Sequence, residues 1–268
     1  MSRLAARAAA LLGATLARAE PIHGGDLSEV IRIVLADGRR AIVKGGPAPS
    51  VEAAMLRAIA AAGTPAPAVL AVDDHVLVLE EIAGTGGPGQ AWADLGAALA
   101  RLHAAAGPRY GWADDYAFGP VAIPNGWCDD WPTFWGERRL RTHLPHLPAT
   151  LARRIETLAA DLPNRLPARP RPALLHGDLW GGNVMAAGRR VTGLIDPACY
   201  HGDGEVDLAM LALFDRPLPA FLDAYGALPP GHAERRAVYS LWPALVHLRL
   251  FGAGYRGMVE GFLAAAGV

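Results

Sequence analysis

The stretch from Leu174 to Phe214, LLHGDLWGGNVMAAGRRVTGLIDPACYHGDGEVDLAMLALF, constrains this chain more than any other. Inside it, His176-Gly177-Asp178 is followed by Asn183 and then by Asp196-Pro197-Ala198. Two apolar runs, Ala173 to Leu175 and Val191 to Ile195, each deliver an acidic residue at or just past their end. The segment between them, WGGNVMAAGRR, reads as loop and turn. A short strand pair of this kind can hold Asp178, Asn183 and Asp196 around one small volume. One carboxylate to orient a hydroxyl, with an amide oxygen and a second carboxylate on Mg²⁺, is the inventory that phosphoryl transfer requires.

The upstream sequence supplies the other parts in a compatible order. Val30 to Leu35 reads as a strand, Asp37-Gly38 as a hairpin turn and Arg40 to Lys44 as the returning strand. Gly24, Gly25 and Ser28 precede the first strand, where backbone N–H groups can face phosphate oxygens; a Gly-Gly pair is as often only a turn. Lys44 closes an apolar strand; in kinase-like folds a lysine there reaches the α/β-phosphates, although an isolated lysine at a strand end is usually only exposed. The segment Ser50 to Ala62 reads as a helix with Ser50 as N-cap. Glu52 in its first turn suits the helix dipole, and equally suits an ion pair that aims Lys44. Strands follow over Ala68 to Val72 and Val76 to Glu80, and then a glycine-rich crossing. The Asp-x4-Asn spacing of Asp178 and Asn183 is that of the catalytic loop of protein kinases, and Asp196-Pro197-Ala198 stands where Asp-Phe-Gly would stand.

HGDLWGGN followed by LIDPACYHGDGEVDLAMLALF resembles the fructosamine/ketosamine kinase family, a branch of kinase-like phosphotransferases that includes the aminoglycoside kinases. Trp180 and the run from Asp196 through Asp207 carry the narrower resemblance. It implies an α+β, bilobal protein-kinase-like fold, with a small antiparallel β-sheet N-lobe and a larger, mainly helical C-lobe. The division expected is 1–82 for the nucleotide-binding lobe, 83–89 for the hinge and 90–268 for the catalytic and acceptor-binding lobe. It also implies ATP-dependent phosphorylation of a ketosamine sugar hydroxyl, most typically O3, in the deglycation of amines or proteins. Asp178 would be the base, Asn183 and Asp196 the Mg²⁺ ligands, and Glu52 the partner of Lys44. Backbone groups from Glu80 to Ile82 would face adenine. His176 would order the catalytic loop and Asp207 brace it. Trp180, Asp129, Asp203 and Glu205 are candidates for contact with the acceptor, and PNGWCDDW for shaping its pocket.

Composition sets the outer bounds. The chain has 268 residues, 52% of them apolar and 19% charged, with formal net charge −1. There is no global basic field to attract nucleic acid or an anionic membrane, and no stretch reads as membrane-spanning. Cys128 and Cys199 show no metal-ligand spacing and suit free thiols in a reducing cytoplasm. The N-terminal segment from Ser2 to Ala19 reads as an amphipathic helix, although Ala-Arg-Ala near its end also suits a cleavage site. Leu151 to Leu162 reads as another amphipathic helix, followed by a Pro-rich stretch, and short helices broken by prolines are expected after Phe214. Two rival functions have sequence support: an aminoglycoside or other amino-sugar kinase, whose acid-lined pocket would draw on Asp129, Asp130, Asp203 and Glu205, and a nucleotide-binding pseudokinase scaffold.

Overall fold

Side chains along Val30–Leu35 alternate between the core and the outer side, as a period-two pattern with one apolar face demands. The computed structural model describes residues 2–22 and 29–268 and builds this segment into a five-stranded antiparallel sheet. The sheet runs in the order β1 (Leu16–Pro21), β2 (Val30–Leu35), β3 (Arg40–Gly45), β5 (Val76–Glu80), β4 (Val69–Val72). Helix α1 (Arg3–Leu11) lays Ala5, Ala8 and Ala9 on Ile31, Ile33, Val43 and Val78. Helix α2 (Pro49–Ala61) covers the opposite face with Ala53 and Leu56 against Leu77 and Leu79. Each fully buried Val, Leu or Ile contributes about 1.5–3 kcal/mol, so the two layers hold the sheet from both sides.

Two expectations are corrected here. The first helix stops at Leu11, and Leu16–Pro21 pairs antiparallel with β2. The outer edge of β2 presents unpaired backbone groups, and closing that ladder outweighs the helix propensity of an alanine-rich stretch. The second helix begins at Pro49, with Ala48 in the cap position and no side-chain cap, so Ser50 lies inside it. Proline suits the first turn, where its missing N–H would have no partner.

The rest of the chain is mainly helical. It runs β6 (Thr85–Gly86), α3 (Trp92–Ala104), β7 (Tyr116–Phe118), β8 (Val121–Ile123), α4 (Trp131–Trp135) and α5 (Ala149–Arg165). Then come β9 (Ala173–Leu175), β10 (Val184–Ala187), β11 (Arg190–Leu194), β12 (Tyr200–Gly202), α6 (Glu205–Phe214), α7 (Pro219–Tyr225), α8 (His232–Phe251) and α9 (Arg256–Ala265). The supposed loop after Asn183 is therefore a strand. β10 lies between β11 and β6, while β9 pairs with β12. The two apolar runs that flank the acidic residues are not paired with each other. The glycine-rich crossing supplies β6, and Gly84, at φ +125°, lies so close to β10 that a Cβ would come within 2.5 Å of the Ala186 carbonyl oxygen.

As expected, proline-bearing breaks follow Phe214, with Pro217 before α7 and Pro229-Pro230 before α8, whereas the helix from Leu151 is expected to stop before Pro163. α5 continues through Pro163 and α8 through Pro243. Pro243 sits in the buried run Val238–Val246, whose packing outweighs the lost backbone hydrogen bond. α2 ties the sheet to this part of the molecule by packing Met55 and Ile59 with Leu95, Leu99, Leu179, Val184 and Leu194. A second core gathers Trp131, Phe134, Trp135, Tyr200 and Tyr239. No described helix is long and apolar enough to cross a membrane, and Cys128 and Cys199 are unpaired thiols.

The π-helical turn Gly136–Leu140 after α4 carries Arg139, which is fully buried in the aromatic core. Its guanidinium donates to Asn125 Oδ1 at 2.7 Å and to the Pro124 carbonyl oxygen at 2.7 Å. It also lies over the Tyr200 ring, 4.1 Å from the centroid. The PNGWCDDW turn thus supplies two acceptors, the Pro124 carbonyl and the Asn125 amide oxygen, to a buried cation.

Candidate active site

Strand β9 ends at Leu175, His176 follows, and the chain then turns through Gly177 at φ +80°. A Cβ at Gly177 would lie 2.0 Å from the Ala198 carbonyl oxygen, so the close approach of these two loops requires glycine. Asp207, buried in the first turn of α6, accepts hydrogen bonds from the His176 amide at 2.7 Å and the Gly177 amide at 2.9 Å. Its carboxylate also accepts from His103 Nε2 at 3.1 Å, and the other ring nitrogen of His103 pairs with the Tyr225 hydroxyl at 2.9 Å. Burial alone would raise the Asp207 pKa; the His103 contact and the neighbouring donors hold it below the usual value. Asp207 is a fixed anion that braces the loop.

His176 is buried, and burial lowers its pKa. Its Nε2 lies 3.0 Å from the Ile195 carbonyl oxygen, so the neutral ring donates there and joins the two acid-bearing loops. Asp178, at the mouth of this loop, is half-buried, and burial pushes its pKa up to about 7 against the Asn183 hydrogen bond. Asn183 Nδ2 donates to the Asp178 backbone oxygen at 2.8 Å and to Asp178 Oδ2 at 3.1 Å. That orientation leaves the Asn183 amide oxygen free.

Asp196 is the one non-glycine residue with positive φ among the described residues, at +54°. A left-handed conformation costs about 1–3 kcal/mol in such a residue, and here it turns the carboxylate into the cleft. Asp196 Oδ1 accepts from Lys44 Nζ at 2.6 Å, and Glu52 Oε1 accepts from the same ammonium. Burial opposes the charge on Lys44, but the two carboxylates more than offset it, and its pKa is raised. The second Glu52 oxygen accepts from the Tyr116 hydroxyl at 3.3 Å. Lys44, Glu52, Asp178, Asn183 and Asp196 thus come together from β3, α2 and the two loops after β9 and β11. Asp196 Oδ2 and the Asn183 amide oxygen are two hard oxygen donors of the kind Mg²⁺ takes alongside phosphate and water. The donor set fits that ion.

These groups line one end of a cleft of about 590 Å³. The same cleft carries an aromatic wall of Trp180, Phe214, Trp242, His247, Phe251 and Tyr255. The other acceptor candidates lie elsewhere. Asp129 is an exposed partner of Arg109, at 2.5 Å, outside the cleft lining. Asp130 caps α4 by accepting from the Thr133 amide at 2.9 Å. Asp203 accepts from the Tyr239 hydroxyl at 2.8 Å, and Glu205 holds Arg235 through both oxygens at 2.9 and 2.6 Å. These acids serve packing and capping, which corrects the expectation that they face a substrate amine. The Glu80 amide donates to the Ala68 carbonyl oxygen at 2.9 Å, so it belongs to the sheet, while Ile82 packs over Gly193. Gly24, Gly25 and Ser28 lie outside the described residues.

Sequence inspection missed Tyr116 and the wall from α8. Tyr116 stands in an aromatic-rich segment, and nothing local marks its contact with Glu52. The wall did leave a signal: Pro243, His247 and Phe251 recur four apart, and so fall on one face of α8.

Comparison with known proteins agrees with this geometry. The fructosamine kinase family model matches residues 3–266. A probable ketoamine kinase of Synechocystis sp. is 37% identical over 202 residues, covering 70% of this chain and 66% of that protein. The chain thus spans just under two thirds of that relative's length. The probable ketoamine kinase of Thermus thermophilus is 36% identical over 260 residues, with 92% of this chain and 93% of the relative covered. Among solved structures, a presumed fructosamine-3-kinase from Thermobifida fusca superposes with a TM-score of 0.89 at 32% identity, covering 98% of each chain. An aminoglycoside phosphotransferase in complex with ADP and hygromycin B, at TM-score 0.64 and 18% identity over 99% of this chain and 95% of that one, shares the bilobal kinase-like fold alone.

Proposed function

This chain belongs to the fructosamine kinase family, and from that premise we propose that it phosphorylates a sugar hydroxyl of ketosamines with ATP. The hydroxyl is O3 of a ribulosamine, erythrulosamine or fructosamine, on a small or protein-bound amine, and the reaction serves deglycation in the cytoplasm. One observation carries the reading: Lys44, Asp178, Asn183 and Asp196 line one cleft together with a set of aromatic rings.

Asp178 accepts the proton of the sugar hydroxyl and aims its oxygen at the γ-phosphoryl group of ATP. Its pKa near 7 in the unliganded cleft suits a group that takes up a proton at neutral pH. Asn183 holds Asp178 in place by its two N–H contacts, while its amide oxygen and Asp196 Oδ2 are the ligands offered to Mg²⁺. When bound, that ion would neutralise charge on the phosphates. Lys44, kept cationic by Glu52 and Asp196, binds phosphate oxygens. Positioning and charge neutralisation supply most of the acceleration in phosphoryl transfer. The aminoglycoside alternative loses its support here, because Asp129, Asp130, Asp203 and Glu205 are all engaged elsewhere.

The test is ADP release with Mg-ATP on ribulosyl-lysine, fructosyl-lysine, a glycated protein and kanamycin, with Asp178→Asn alongside. Turnover on a ketosamine, lost in the variant, is expected. Turnover on kanamycin alone would overturn the acceptor class, and silence on every acceptor despite Mg-ATP binding would favour a scaffold.

A further inference from the structure

We propose that the aromatic wall beyond Asp178 is a subsite for the amine-bearing half of the acceptor, and that it selects amines with an apolar or aromatic substituent over polycationic ones. The inference rests on the ketosamine reading above and goes beyond it by assigning the class of amine. Trp180, Phe214, His247, Phe251 and Tyr255 form a continuous chain of rings, with successive centroids 6.4, 4.9, 5.5 and 5.8 Å apart. All five line the same cleft as Asp178, so an acceptor that presents a hydroxyl to Asp178 has these rings available to the rest of its length. Trp180, Phe214 and Phe251 remain 41%, 42% and 47% exposed, and that surface is open to a ligand.

The wall carries no fixed charge. His247 Nδ1 lies 2.8 Å from the Pro243 carbonyl oxygen, which suits a neutral ring donating through Nδ1. Burial holds its pKa below the usual histidine value. Among the described residues lining the cleft, the charged groups are Lys44, Asp178 and Asp196, and all three belong to the phosphoryl-transfer end. A polyamine chain entering here would shed water without meeting a carboxylate, which is unfavourable. The single secondary ammonium of a ketosamine is better served, since ring faces attract one cation. An aryl or alkyl substituent on that nitrogen gains by burial against the rings.

The experiment compares kcat/KM for ketosamines of one sugar built on methylamine, benzylamine and 1,4-diaminobutane. The benzylamine derivative should exceed the diaminobutane derivative by about tenfold or more, from burial of the phenyl ring. Phe251→Ala should shrink that ratio to about twofold. Phe251→Glu, at an exposed position that leaves the fold intact, should reverse it by adding a carboxylate. Equal rates on all three amines, or a wild-type preference for the diamine, would overturn the inference and leave the ketosamine kinase reading standing. Absence of turnover on any ketosamine would overturn both.

Discussion

Burial beside a single amide donor raises the Asp178 pKa, and replacing this residue tests the role of base proposed for it. Asp178→Asn keeps the shape and the contact with Asn183, so kcat should fall about 10²- to 10⁴-fold while Mg-ATP binding survives. A second titrating residue governs stability. His143 is buried, and burial, reinforced by Arg249, His146 and Arg139, pushes its pKa down to about 3. Below the ordinary histidine pKa of about 6.5 the unfolded chain takes up a proton there and the folded chain does not, so stability falls as pH drops from about 6.5 toward 3. At pH 5 the loss is about 2 kcal/mol. Urea titrations at pH 7.5 and pH 5 should show His143→Phe losing about that much less than the parent. At this scale Asp178 and Asn183 were legible because a five-residue loop fixes their separation. Tyr116 was not, because its partner Glu52 is 64 residues away in sequence.

Between residues and the whole lie elements whose purpose emerges only from their packing. The aromatic segment around α4 looked like part of an acceptor pocket, since polar and aromatic groups alternate in it. Asn125 and the Pro124 carbonyl instead satisfy a guanidinium enclosed by rings, while Asp129 pairs with Arg109 and Asp130 caps α4. Asn125→Ala would leave the Arg139 Nη2 group buried without its side-chain acceptor, at a cost of about 3 kcal/mol. Thermal unfolding should register that loss while KM for the acceptor stays unchanged; a raised KM at unchanged stability would restore the pocket role. The strand after Asn183 escaped notice for a related reason. Val184–Ala187 is too short for its own period to be distinctive, and it becomes a strand by lying between β11 and β6.

Across the whole molecule, the cleft is closed by a lysine from the sheet and a carboxylate from the helical part, joined at 2.6 Å over 152 residues of sequence. A ligand that engages both should resist unfolding. Mg-ATP at about 100 times its Kd should stabilise the protein by about 2.7 kcal/mol, a rise in Tm of about 5–10 °C. Differential scanning fluorimetry of Lys44→Ala should show that shift largely abolished, and an undiminished shift would remove Lys44 from the nucleotide site.

Resemblance to a known family implied the kinase-like class, and the sequence by itself determined the hairpin of Val30 to Leu35 and Arg40 to Lys44, the strand Val76–Glu80 and the order of the acid-bearing loops. These are written in period, turn chemistry and short fixed spacings, all of which act within a few residues. Tertiary structure alone decided that Leu16–Pro21 joins the sheet, that β9 pairs with β12, that Asp129, Asp203 and Glu205 turn away from the cleft, and that α8 lines it. Each of those outcomes depends on which backbone edge, cation or apolar face lies opposite, and that partner is supplied by a distant part of the chain.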